Sequence, residues 1–125
     1  MLGLLGETKE TVEQSIKFAI ELDPDVAKFH IFKPYPGSDL SLEMKSKGLI
    51  LDFDVEKYGI HTYPVHRTEA LSPEDIFRLQ KEAYRRFYFQ PRMILRQLLR
   101  LNSWARIKNN LATAFGMLRL VFRYD

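Results

Sequence analysis

The sequence predicts an α/β fold that gives way to a basic, all-helical C-terminal region, and three observations predict it. Two short apolar runs flank an amphipathic helix within the first 50 residues, which is the order strand, helix, strand. Glycine- or proline-rich turns follow both runs, and from Ser72 onward every start signal is helical. The length of 125 residues suits one domain, and 46% apolar residues with only six glycines and six prolines predict a buried core.

Leu2 to Leu5 is the first apolar run, a candidate strand. From Thr8 to Leu22 the residues Val12, Ile16, Ala19 and Ile20 recur at helical spacing, with Glu10, Glu13, Lys17 and Glu21 on the other face. Thr8 is placed to cap this helix, and Asp23-Pro24-Asp25 stops it, because proline lacks a donor and pushes its predecessor out of helical geometry. Val26 to Phe32 reads as the second strand, His30 within it, parallel to the first. Ser38 caps a second helix over Asp39 to Lys47, with Leu40, Met44 and Leu42 facing inward and Gly48 at its end.

Residues 51–71 form an irregular connector between this βαβ unit, residues 1–50, and the helical region, residues 72–125. Ser72-Pro73-Glu74-Asp75 combines a capping serine, a first-turn proline and an acid at the capping-box position, and opens a helix to about Phe89. Pro91 restarts the chain into a basic helix to Leu101. Ser103 caps a last helix whose stripe is Trp104, Ile107, Leu111, Phe115, Leu118 and Phe122. Two parallel strands and one crossover helix do not close a sheet, so the pattern is that of a piece of a larger α/β domain.

Absence of cysteine removes disulfides, thiolate zinc sites and self-ligated iron–sulfur clusters. No apolar run approaches the roughly 20 residues that cross a bilayer, and no signal-peptide pattern opens the chain, so a cytoplasmic location is expected. Charge is divided along the chain. Residues 1–82 carry 10 Lys/Arg and 15 Asp/Glu, whereas residues 83–124 carry nine cations and no acid, within a net charge of +3. That run fits nucleic acid, anionic membrane, a phosphorylated ligand or an acidic protein surface, and equally a solvated cationic face.

The candidate sites lie at the ends of the two expected strands. Gly3-Leu4-Leu5-Gly6-Glu7-Thr8 opens the first helix, where free N–H groups and the helix dipole favour an anion or polar ligand edge; a tight turn alone would also use these glycines. Its spacing is neither that of a P-loop nor the three-glycine dinucleotide fingerprint. Pro34-Tyr35-Pro36-Gly37-Ser38 is a stiff loop at the same edge of the sheet, where ligands of α/β folds bind. His61 and His66, five apart in the connector, share no helical or strand face, which weighs against a metal site, and Asp52 and Asp54 read as solvated loop acids.

The glycine turn, the helix Glu10 to Leu22, Asp23-Pro24-Asp25, the strand Ala27 to Phe32 and the Pro34 to Ser38 loop together resemble the last part of a radical S-adenosylmethionine (SAM) enzyme barrel. The nearest likeness is to the cobalamin-binding, Fe–S oxidoreductase branch, which continues into segments like Leu71 to Asp75 and Tyr84-Arg85-Arg86-Phe87-Tyr88-Phe89-Gln90-Pro91. The resemblance covers about residues 1–100 and implies a C-terminal fragment of a partial TIM-like (β/α) barrel. Such a barrel holds a [4Fe–4S] cluster on a CxxxCxxC motif, which would lie upstream, and the cluster cleaves SAM to a 5′-deoxyadenosyl radical. By position the resemblance implies adenosine contacts at Gly3, Gly6, Glu7, Thr8, Phe32, Pro34 and Tyr35, with no catalytic or metal-ligating residue in this chain. It implies as partners the upstream barrel, a cobalamin domain and an unidentified substrate such as a lipid, tetrapyrrole or phosphorylated small molecule. Exposed sheet edges would also permit a fragment dimer. The alternative is a basic helical module binding RNA, an anionic membrane or a partner protein, with Arg106, Lys108, Arg119 and Arg123 flanking the last apolar stripe.

Overall fold

The structure is a computed structural model that describes residues 1–59 and 62–99, with the backbone alone at 97–99. The chain divides into two compact units, Met1–Gln80 and Lys81–Asp125. Among the described residues the regular elements are four α-helices, α1 (Lys9–Leu22), α2 (Asp39–Ser46), α3 (Pro73–Tyr88) and α4 (Pro91–Leu99), with a 3-10 turn at Val55–Tyr58. The expected helix over Trp104 to Phe122, and His61, lie outside the described residues.

Helix ends follow the local chemistry of the sequence. Thr8 Oγ1 accepts from the Thr11 N–H while the Thr8 N–H donates to Thr11 Oγ1, a reciprocal capping box at the start of α1. Asp23 closes α1 in the left-handed region at φ 47°, a conformation that aspartate tolerates better than most residues. Ser38 caps α2 through the Ser41 N–H, and Gly48 follows at φ +64°. At the start of α3 the Ser72 N–H donates to Asp75 Oδ2 (3.2 Å) and the Asp75 N–H donates to Ser72 Oγ (3.1 Å), the pairing that the Ser-Pro-Glu-Asp sequence predicts.

The two expected strands do not form, and this is the main correction to the α/β reading. Leu2 pairs with Ile31 in one isolated parallel bridge, made by the Leu2 N–H to His30 O (2.8 Å) and the Phe32 N–H to Leu2 O (2.7 Å). The pairing stops there because Gly3 turns away at φ +81° and Pro34 has no N–H to extend a ladder. His30 accordingly flanks a bridge and lies in no strand. The parallel direction survives even so, so the glycine turn after Leu2 and the Pro34 loop after Ile31 leave the pair at the same end.

The connector adds a second isolated bridge, antiparallel, between Ile50 and His66. Arg67 N–H donates to Leu49 O (2.9 Å), and Leu51 N–H and Asp52 N–H both donate to Val65 O (2.9 and 3.2 Å). In Met1–Gln80 the buried apolar residues include Leu2, Val12, Ile16, Phe29, Ile31, Ile76 and Leu79. Met44, Leu49 and Ile50 form one cluster, against which Leu5, Phe32 and Leu40 pack. Leu42, expected inward, is 59% exposed, because its position on the short α2 lies off the stripe of Leu40 and Met44. In Lys81–Asp125, Ala83, Phe87 and Met93 are buried and the rings of Tyr84 and Tyr88 stack at 6.2 Å.

This division of α2 sets a stability contrast. Met44→Ala is expected to lower unfolding free energy by about 2–4 kcal/mol through lost burial and the cavity left behind, whereas Leu42→Ala stays within about 0.5 kcal/mol. Urea denaturation of the two variants measures both, and equal losses would contradict the packing described.

Candidate functional site

The glycine turn is closed by side chains from its own helix start and from residues 66–69. Gly3 N–H and Leu4 N–H both donate to Glu7 Oε2, so the Glu7 carboxylate folds back over the start of the turn. Gly6 N–H donates to Glu69 Oε2 (3.3 Å), and Glu69 is also paired with Lys47 (3.4 Å). Thr68 Oγ donates to Glu7 O (3.0 Å) and accepts the N–H groups of Ala70 and Leu71. The donors expected to face an anion thus already hold two carboxylates of the chain itself.

His66 joins this turn to the second candidate segment. Its ring is fully buried, with Nε2 2.7 Å from Gly3 O. A carbonyl only accepts, so Nε2 carries the proton and Nδ1 is left as an acceptor with no hydrogen-bond partner among the described residues. The same ring meets Phe32 edge to face, at 5.7 Å between centroids. Burial pulls the His66 pKa below its usual value; the Gly3 carbonyl opposes that shift and the charge of Lys33 adds to it.

Phe32, Lys33 and Tyr35 line an open cleft of about 320 Å³ together with Ile31, His30 and Tyr58, and Met1 stands at its edge. Tyr35 is 54% exposed; its hydroxyl donates to Tyr58 O (3.1 Å) and its ring lies 5.5 Å from the Tyr58 ring. Lys33 is buried, and its Nζ donates to Thr62 O (3.3 Å), Thr62 Oγ1 (2.9 Å) and Tyr63 O (2.9 Å). These contacts offset only part of the lost hydration, and burial lowers the Lys33 pKa to about 8.

Of the residues proposed from sequence, Gly3 and Glu7 are in direct contact, and Phe32 and Tyr35 share the cleft. Gly6 faces open space, with nothing within 4 Å of where a Cβ would sit. The side-chain oxygen of Thr8 is engaged in capping α1. Pro34 is fully buried, and its carbonyl accepts from Ser41 Oγ (3.1 Å). Lys33, Thr68 and Glu69 belong to no sequence motif, and His66 stands out in the sequence only as a candidate metal ligand. Their contacts with the turn, with Lys47 and with residues 62–63 span 22 to 63 residues of sequence and carry no local signal. Among the described residues no group of three or more His, Cys, Asp or Glu side chains could hold a metal ion, and no helix is long and apolar enough to cross a membrane.

Comparison with known proteins finds partial relatives. The chain is 36% identical over 98 residues to an uncharacterized methyltransferase of Pyrococcus horikoshii, covering 78% of this chain and 21% of the relative. It is 35% identical over 88 residues to the anaerobic magnesium-protoporphyrin IX monomethyl ester cyclase of Rubrivivax gelatinosus, covering 70% of this chain and 15% of that one. The cyclase of the same name from Cereibacter sphaeroides is 32% identical over 90 residues, or 72% and 14%. The chain therefore spans 14–21% of the length of these relatives and is related to a part of each. No protein-family profile matches it, and no solved structure does.

Two outcomes test the geometry of the turn. At Gly3 an added Cβ would lie 3.0 Å from His66 Nε2 and 3.2 Å from Ile76, in a backbone conformation with φ +81°. Gly3→Ala is expected to lose about 2–4 kcal/mol of stability from strain and displaced neighbours. Gly6→Ala, where φ is +76° but space is open, should lose only about 1–2 kcal/mol; equal losses in urea denaturation would refute the His66 contact.

The second outcome follows from the lowered His66 pKa. The unfolded chain takes up a proton near pH 6.5 while the folded chain still resists it, so stability falls as pH drops from about 7.5 through 6.5 and levels off below the folded pKa. His66→Gln should flatten that segment of the melting temperature profile, and an unchanged profile would count against a buried neutral imidazole.

Proposed function

We propose that this chain forms the C-terminal part of a radical SAM enzyme of the Fe–S oxidoreductase type, cobalamin-dependent, and contributes the adenosine side of its cofactor site. The observation that carries this reading is the relation of 70–78% of the chain to parts of a methyltransferase and two anaerobic cyclases. It agrees with the resemblance of the glycine turn and the Tyr-Pro-Gly loop to the end of a partial (β/α) barrel. Both segments leave the Leu2–Ile31 bridge at one end, as residues sharing a ligand must.

A [4Fe–4S] cluster does not fit this chain: it has no cysteine, and the described residues hold no alternative ligand cluster. The cluster therefore belongs, in this reading, to another part of a longer polypeptide. Adenosine does fit. The space over Gly6 is open, the Tyr35 ring is exposed, and Phe32 supplies apolar wall beside it.

In this role Gly3 and Gly6 allow close approach of the backbone, and Glu7 and Thr8 border the turn. Pro34 stiffens the loop that carries Tyr35, while Phe32 and Tyr35 cover the base. SAM, when bound to a reduced cluster, supplies one-electron chemistry at its 5′ carbon. The chain's own contribution is to orient the nucleoside and to exclude water from one side of it.

The intact native polypeptide, recovered anaerobically from its source cells with an antibody against this chain, tests the reading. A larger polypeptide carrying CxxxCxxC and releasing 5′-deoxyadenosine from SAM under reduction is expected. A native polypeptide without three such cysteines would overturn the proposal. The isolated 125-residue chain should retain no stoichiometric iron after anaerobic reconstitution, because it has no thiolate to ligate it.

A further inference from the structure

The two segments that the adenosine reading brings together share a single rung of backbone pairing. Beyond the Leu2–Ile31 bridge Gly3 turns away at φ +81° and Pro34 has no N–H, and past that rung the described residues make no backbone bond between the glycine turn and the Pro34 loop. A ligand that touches both needs them at one fixed separation, because a displacement of about 1 Å is enough to degrade a binding geometry. Apolar packing sets part of that separation, since Leu5 and Phe32 both rest on the cluster of Met44, Leu49 and Ile50. Such packing is non-directional, whereas a hydrogen bond and an edge-to-face ring contact each fix a direction.

His66 supplies both directional contacts, one to each segment. Its Nε2–H donates to Gly3 O at 2.7 Å, and its ring meets the Phe32 ring at 5.7 Å between centroids with the planes at 89°. The backbone that carries the ring is itself held: His66 bridges Ile50, the Arg67 N–H donates to Leu49 O (2.9 Å), and Thr68 Oγ1 donates to Glu7 O (3.0 Å) at the far side of the turn. The imidazole is 0% exposed, and a Cβ on Gly3 would stand 3.0 Å from Nε2, so neither the ring nor the turn has room to shift alone. What the turn draws from this residue is one donor at the reach of Nε2, which the amide of a glutamine also offers and an aliphatic side chain does not.

We propose that His66 is a positioning residue for the nucleoside: it holds the Gly3 carbonyl and the Phe32 ring in one register, so that the glycine turn and the Pro34 loop meet the same adenosine together. Being fully buried, it touches no ligand and acts only through Gly3 and Phe32. The inference rests on the adenosine reading of those two segments and deepens it, by naming the residue outside both that sets their relative placement. Loss of the ring then weakens nucleoside binding in molecules that are still folded, which a histidine serving stability alone would not do.

Equilibrium dialysis of 5′-deoxyadenosine against the intact native polypeptide and its His66 variants tests the inference, with the folded fraction of each sample taken from its melting curve. Per folded molecule, His66→Leu is expected to bind about tenfold more weakly than the unaltered polypeptide, and His66→Gln, which restores the donor, to stay within about threefold of it. In turnover the KM for SAM should rise with the dissociation constant while kcat is kept, the pattern of lost uniform binding. If His66→Leu does not fold, the His66 ring resonances of the ¹⁵N-histidine-labelled unaltered polypeptide, assigned by their disappearance in His66→Gln, decide: 5′-deoxyadenosine should shift them although the ring is buried. Equal affinity of His66→Leu and the unaltered polypeptide, His66→Gln binding as poorly as His66→Leu, a fall in kcat with KM unchanged, or ring resonances that ignore the nucleoside would each overturn the inference and leave the adenosine reading standing. Absence of 5′-deoxyadenosine binding by the unaltered polypeptide would overturn the adenosine reading and this inference with it, so the two failures are distinguishable.

Discussion

The clasp of residues 66–69 on the glycine turn is the interaction on which the rest of the first unit depends. A turn with Gly3 at φ +81° and Gly6 at φ +76° exposes backbone groups that no regular element satisfies. His66 answers the Gly3 carbonyl, Thr68 the Glu7 carbonyl and Glu69 the Gly6 N–H, across more than 60 residues of sequence. Glu7 takes the N–H groups of Gly3 and Leu4 from within the turn. Through the same contacts the connector is held against the start of α1, and the Phe32 ring is set against His66.

Satisfying the turn internally changes what it offers chemically. Free N–H groups at a helix start attract anions, but here two carboxylates already occupy them. The turn therefore presents a shaped and partly acidic surface rather than a positive cradle, which suits the polar edge of a neutral nucleoside better than a phosphate. Positive charge lies instead at Lys33, on the wall of an otherwise largely apolar cleft.

Isolated bridges in place of strands carry a structural consequence. One rung of parallel pairing is little support for a backbone, and the described residues supply no third segment to extend it. The geometry at the ligand-facing end is set by side-chain bonds and by the packing of Phe32 and Leu5 on the Met44, Leu49 and Ile50 cluster. The chain spans 14–21% of the length of the curated relatives it matches.

Sequence alone located the four described helices and the capped starts of three of them, because caps are local: Thr8 with Thr11, Ser38 with Ser41, Ser72 with Asp75, and Asp23 before Pro24 act within a few residues. It also placed the two candidate loops and identified the enzyme class they resemble. The two apolar runs make one isolated bridge and no strand, since β-branched composition describes a pleated surface but ladder formation needs a neighbour that composition does not provide. Only the tertiary structure decided that Lys33 would be buried against the neutral groups of Thr62 and Tyr63 and that His66 would close the glycine turn. Those facts depend on groups 29 to 63 residues away meeting in space, and no periodicity or motif near either residue encodes that distance.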